Sequence, residues 1–201
     1  MGLRDRVAIA ALVVSATLVA VRAWVGFPMW VATGAMEPAV WEGDLVWVRR
    51  AGASSLRPGD LAVIAMPGEA PMIKRVVALG GHEVEVHPTQ GLAVDGVPWP
   101  TVGSGEVPRP AGACVVAPQA HALERWPHGT VWVRAGGPAD RVRIPTEHVY
   151  VLGDDRAASG DSRQWGPLPG DHVIGTAEWT LVSKDGCGFG ARSARRLLRL
   201  R

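Results

Sequence analysis

Lys74 is the side chain in this sequence best suited to reaction chemistry. It lies within Met72-Ile73-Lys74-Arg75-Val76-Val77, an apolar strand pattern in which period-two alternation puts it on the face of Met72 and Val76. Burying an amine disfavours its charged form and lowers its pKa, the condition for a lysine to act as a base near neutral pH. The competing assignment turns Arg75 inward as the paired residue and leaves Lys74 in solvent, where most lysines lie. A second constellation runs from Gly153-Asp154-Asp155-Arg156 through Ser159-Gly160-Asp161-Ser162-Arg163, with Trp165-Gly166-Pro167-Leu168-Pro169 after it. Small, acidic and basic residues in that order after a strand make a loop held by its own hydrogen bonds and ion pairs, Asp161 with Arg163 above all. The same composition also suits a plain surface loop. A third stretch, Val31 to Pro38, places Thr33, Gly34, Ala35 and Met36 directly behind the chain's long apolar segment.

Several elements must position these residues. Arg4 and Arg6 precede an apolar run from Val7 to Val21, interrupted only by Ser15 and Thr17. A bilayer core needs about 20 helical residues, so the run spans one if Arg22 snorkels and Ala23 to Phe27 lie at the interface, with Trp24 and Trp30 as belt residues. Arg4 and Arg6 favour a cytoplasmic N-terminus and Arg22 opposes it, leaving the body on the outer side. A cleavable leader is the alternative, given the small residues Ala32-Thr33-Gly34, but Phe27-Pro28-Met29-Trp30 is bulky where a cleavage region is small and polar.

Beyond Val40 the pattern is turns and short strands: Leu45 to Val48, Leu61 to Ala65, Met72 to Leu79, Val84 to Val86, Leu92 to Val94, Val149 to Leu152 and Val173 to Val182. Asp95-Gly96 is a strong hairpin signal. Between Pro98 and Pro145 proline and glycine become frequent, as in an inserted, partly irregular lobe. Trp41 and Trp47 read equally as a membrane-resting surface or as ordinary tryptophans.

The chain has 201 residues with 25 Gly and 16 Pro but only one Tyr and two Phe, a composition of turns and Val-rich strands. A formal net charge of +2, with basic residues dispersed except at the C-terminus, excludes an extended nucleic-acid footprint. The tail from Ala191 to Arg201 carries five arginines and reads as either an anionic-lipid contact or a solvated end. Cys114 and Cys187 lie in no zinc-like spacing, and whether they pair stays open. His121 and His128 are read as loop or surface residues; no metal or cofactor is expected.

In order along the chain, the anchor, Thr33-Gly34-Ala35-Met36-Glu37-Pro38, Arg57-Pro58-Gly59-Asp60-Leu61, Ile73-Lys74-Arg75-Val76-Val77-Ala78-Leu79-Gly80 and Gly153 to Pro169 resemble the boxes of the type I signal peptidases, over about residues 7 to 182. The resemblance implies a mainly β fold: a single N-terminal transmembrane helix, then an antiparallel β-sheet catalytic domain with an inserted irregular or β lobe. On that reading residues 1–27 are the cytoplasmic tip and anchor, 28–97 and 146–185 the catalytic core, 98–145 the inserted lobe and 186–201 the basic tail.

It also implies a Ser/Lys endopeptidase on the outer face of a bacterial-type cytoplasmic membrane, its partners the lipid bilayer and the signal peptides of exported preproteins, with no nucleic acid. Position 35 falls at the nucleophile and Lys74 at the general base. The amide of Ala35 and the hydroxyl of Thr33 fall at the oxyanion hole, and Ser159 at the hydroxyl that orients the lysine. Asp161 and Arg163, with Asp154 and Arg156, brace that loop, and Met36 and Pro38 adjoin the substrate. Two departures stand out. Asp155 replaces the Asn usual after Gly-Asp, and Ala35 has no hydroxyl, so the chain is expected to be inactive as written. Ala35 fits an engineered replacement of a parental serine, a natural pseudoprotease that captures signal peptides or secretion partners, or, with a serine restored, a peptidase dedicated to one substrate such as a pilin.

Overall fold

The computed structural model describes residues 2–107, 120–183 and 198–199; Cys114, Cys187 and most of the basic tail lie outside these residues. The chain opens with helix α1 (Leu3–Trp24), then strands β1 (Gly26–Trp30), β2 (Leu45–Arg49), β3 (Leu61–Ile64) and β4 (Met72–Leu79). Next come β5 (Glu83–His87), β6 (Gly91–Val94), β7 (Val97–Glu106), β8 (Ala120–Trp126), β9 (Gly129–Val133) and β10 (Asp140–Arg143). The chain continues through β11 (His148–Leu152), the single-turn helix α2 (Ser162–Trp165), β12 (Leu168–Pro169), β13 (Val173–Val182) and β14 (Leu198–Arg199). The fold is mainly β, as expected, and its sheets are antiparallel.

The described side chains of α1 between residues 4 and 17 are all exposed. No helix among the described residues is long and apolar enough to cross a membrane, so the expected transmembrane helix is not shown. Immediately after it, Gly26 and Phe27 are not an interfacial continuation of the helix: they begin β1, which pairs with β2 from Gly26 opposite Arg49 to Trp30 opposite Leu45.

The first sheet runs β1-β2-β13-β3-β4-β11-β12, with β14 also on β13. Its central strands are covered on both sides, so all four residues of β3 and the six from Ile73 to Ala78 in β4 are buried. Successive residues point to opposite faces. Thus Leu61 and Val63 join Val31, Met36, Val40, Val46, Val48 and Ile73 in one core, while Ala62 and Ile64 join Leu56, Val76, Val149, Val151, Leu168 and Val173 in another. Trp41 is buried, which settles it as an interior tryptophan rather than a membrane-resting one.

The second sheet runs β10-β5-β6-β7-β8-β9, and its described strands pair in ladders with a register shift between Thr101 and Gly103. Pro98 and Pro100 fall where β7 pairs only with β6, opposite Ala93 and Gly91; pairing with β8 begins at Thr101. Their missing N–H groups therefore cost no ladder bond on the second side. Asp95 and Gly96, at φ 50° and 74°, close the β6–β7 hairpin as their sequence signals. A third core of Val77, Val84, Val86, Leu92, Trp99, Trp126, Ile144, Tyr150 and Leu152 joins the two sheets. The Tyr150 hydroxyl donates to Asp140 Oδ2, and burial, together with that carboxylate, pushes the phenol far above its ordinary range. His121 is buried rather than at the surface.

Candidate active site

The loop between β1 and β2 is closed at its base, where Val31 N donates to Asp44 O at 2.8 Å and Gly43 N donates to Val31 O at 2.8 Å. Within it Gly34–Met36 makes one 3-10 turn, with Glu37 N donating to Gly34 O at 2.9 Å. Met36 is 1% exposed and packs into the core below the turn. Burying it pins the loop and leaves Ala35, which is half-buried, in the wall of a cleft. Thr33 is extended (φ −143°, ψ 154°), exposed, and does not spend its hydroxyl on capping the turn.

The cleft has a volume of about 590 Å³ and is lined by Met29 to Met36, Glu69 to Lys74, Asp155, Ala158 and Gly160. Lys74 and Ala35 therefore share one cavity. Thr33 lines it too, while Pro38 is outside the lining residues and Met36 contributes from a buried position. Its walls are largely apolar, with Lys74, Glu69 and Asp155 as the charged residues among them.

Lys74 and Arg75 are both buried, at 4% and 1% exposure. Neither sequence assignment had to exclude the other, because a central strand has no solvent face to offer. Lys74 lies opposite Ala62 and Arg75 opposite Leu61 in the β3–β4 ladder, on opposite faces. Arg75 Nε and Nη2 donate to Asp154 Oδ1 and Oδ2 at 2.7 and 2.5 Å, and Nη1 donates to Gly59 O at 2.8 Å. Lys74 Nζ donates to Ser159 Oγ at 2.7 Å. Ser159 Oγ in turn donates to Gly160 O at 3.3 Å, so its orientation towards the amine is fixed. Burial lowers the Lys74 pKa below the ordinary lysine range; Asp161 opposes this most strongly, Arg163 adds to it, and Asp154 and Asp155 oppose it more weakly.

The loop after β11 holds Ser159 through several interlocking contacts. Asp161, wholly buried, accepts from Gly153 N at 3.0 Å and from Arg163 Nε and Nη2 at 2.8 Å each. It also caps α2 by accepting from Arg163 N. Arg163 extends to Gly136 O at 3.0 Å and Arg156 O at 2.8 Å. Gly153 is required by close approach: a Cβ there would overlap Ser159 Oγ and lie 2.7 Å from Ala35 O. Asp155 N donates to that same carbonyl at 3.1 Å, tying the loop of residue 35 to the loop of Ser159.

Sequence reasoning missed three contributors, all from the second sheet and its return. Glu124 in β8 accepts from Arg156 Nη1 and Nη2 at 2.9 and 2.8 Å, while Arg156 Nε donates to Gly153 O at 3.0 Å. Arg134 Nε donates to Asp155 Oδ1 at 2.7 Å, and Arg134 N to Asp154 O at 2.9 Å. Gly136 supplies the carbonyl already noted. No local pattern around Glu124 or Arg134 marks them. Among the described residues no group of His, Cys, Asp and Glu is arranged to hold a metal ion.

Residues 4–182 match the family described as "Signal peptidase, peptidase S26". A "Probable signal peptidase I-1" from Synechocystis sp. is 30% identical over 169 residues, covering 78% of this chain and 71% of its own. A "Signal peptidase I" from Pseudomonas aeruginosa is 27% identical over 180 residues, and one from Pseudomonas fluorescens 24% over 177. Those two alignments cover 75% of this chain and 62% of each relative.

Proposed function

Because this chain belongs to the signal peptidase, peptidase S26, family, we propose that it is the scaffold of an endopeptidase that removes signal peptides from exported preproteins by Ser/Lys chemistry. The observation that carries this reading is the buried Lys74 amine, held by Ser159 at 2.7 Å in the cleft that also exposes position 35. With a serine at 35, neutral Lys74 takes the hydroxyl proton as Oγ attacks the scissile carbonyl carbon. The residue 35 amide and the Thr33 hydroxyl receive the developing oxyanion. Collapse breaks the C–N bond, and the Lys74 ammonium returns its proton to the leaving amine. Water, deprotonated by Lys74, then cleaves the ester and releases the signal peptide as a carboxylic acid.

Ala35 supplies no attacking oxygen, so the chain as written binds without cleaving; losing the nucleophile of a serine hydrolase costs on the order of a million-fold in turnover. Met36 serves as the buried floor of the site. The body sits at a bilayer through α1: its described stretch from residue 4 to residue 17 is exposed on every face, with Val7, Ile9, Leu12, Val13 and Val14 among the exposed residues, a pattern unsuited to water and suited to lipid. Which side of the membrane the body faces follows the arginine distribution, on the outer side.

The decisive experiment is Ala35→Ser with a preprotein substrate in detergent or liposomes. Processing that disappears on adding Lys74→Ala supports the peptidase. A folded, inactive Ala35→Ser chain that still binds signal peptide overturns it in favour of a natural pseudoprotease.

A further inference from the structure

Beyond the Ser/Lys pair itself, the second sheet delivers charge to the site. Arg134 comes from the segment between β9 and β10, and its guanidinium holds Asp155 at 2.7 Å, with side chains 28% and 14% exposed. Asp155 stands in the cleft wall, its amide bonded to Ala35 O and its Oδ1 also accepting from Ala158 N at 3.1 Å, one residue before Ser159. The two chain segments also meet through a parallel bridge between Arg134 and Asp155. Resting on the reading of Lys74 as the base, we propose that Arg134 is a positioning residue that acts through Asp155. It neutralises a carboxylate beside Lys74 and holds the residue 35 and Ser159 loops in register, so that the second sheet sets the protonation of the base.

The physical case is electrostatic. The charged groups that act on Lys74 are Asp161, Arg163, Asp154 and Asp155, with Glu69 also in the cleft wall. Asp161 and Asp154 already have buried guanidinium partners, Arg163 and Arg75. Asp155 depends on Arg134, which comes from outside the loop. Without that partner, an uncompensated carboxylate favours the ammonium form of Lys74. Without Asp155, an unpaired guanidinium favours the neutral amine. The two single changes therefore move Lys74 in opposite directions, which a merely structural role would not do.

The chain contains two lysines, Lys74 and Lys184, so carbon-13 lysine labelling gives two signals that Lys184→Arg assigns. In the full chain with Ala35, Arg134→Gln is expected to move the Lys74 titration midpoint up and Asp155→Asn to move it down. The double variant returns it towards the starting value, and Arg134→Lys leaves it near that value. A midpoint unmoved by Arg134→Gln, or moved the same way by both single variants, overturns the proposal. If Arg134→Gln does not fold, an Asp155→Asn midpoint that fails to fall does so as well. With Ala35→Ser added, the pH at which cleavage rises should follow the midpoint. Absence of any cleavage there counts against the peptidase reading alone, because the titration in the Ala35 chain still decides the role of Arg134.

Discussion

Lys74 and Ser159 are separated by 85 residues of chain, and their Nζ and Oγ meet at 2.7 Å inside the protein. An ammonium at 4% exposure with a hydroxyl as its hydrogen-bonding partner has no directly paired carboxylate among the described residues, and burial lowers its pKa. Because the folded state holds this proton less tightly than the unfolded chain, Lys74 opposes folding at low pH. That penalty disappears as pH rises from the lowered folded value to the ordinary 10.5. Lys74→Met should therefore be most stabilising, relative to the parent, below that window and lose the advantage above it. Denaturant melts of both chains across pH test this; a difference independent of pH would mean that folding leaves the Lys74 pKa unchanged.

Arg75 and Asp154 form a bidentate pair at 2% and 1% side-chain exposure. Arg75→Met leaves Asp154 charged in the interior, and breaking one side of such a pair costs about 3–5 kcal/mol. Arg75→Met with Asp154→Leu should recover much of that loss. Urea denaturation of the three variants measures it, and a single variant within about 1 kcal/mol of the parent would contradict the buried pair.

Gly153→Ala places a methyl onto Ser159 Oγ and 2.7 Å from Ala35 O. Overpacking of this kind costs roughly 1–3 kcal/mol. Since the displaced atoms are the lysine's partner and the loop of residue 35, cleavage by the Ala35→Ser chain should fall further than stability does. Equal activity with and without Gly153→Ala would show that this close approach is dispensable.

Helix α1 exposes Leu12 and Val14 at 72% and 58%. If lipid covers them, the full chain should stay with phosphatidylcholine vesicles through a high-salt wash, and Leu12→Arg with Val14→Arg should release it. A central arginine costs about 2.5–3.5 kcal/mol in a membrane-inserted helix. Release of the parent chain by salt alone would point to electrostatic adsorption instead.

The strand containing Lys74 and the Asp161–Arg163 pair were legible in the sequence, because alternation and near-neighbour charge are local signals. The choice between Lys74 and Arg75 was not, since burial of both needs β4 to lie between β3 and β11, a fact of topology. Pro98 and Pro100 disguised β7 for a related reason: whether a proline interrupts a strand depends on which side has a neighbour. Glu124 and Arg134 act over 32 and 21 residues, beyond the reach of any spacing rule.

Leu79, at the end of β4, pairs directly with Val149 near the start of β11. The polypeptide thus leaves the first sheet and rejoins it at one place, with the second sheet as the excursion between. Closure entropy grows only slowly with loop length, so changes at the far hairpins of that excursion need not move Lys74 relative to Ser159. Those near Glu124 and Arg134 do reach the site. A lineage could therefore lengthen or trim the outer strands while these two anchoring points stay fixed, and the size of the excursion is separable from the chemistry it steadies.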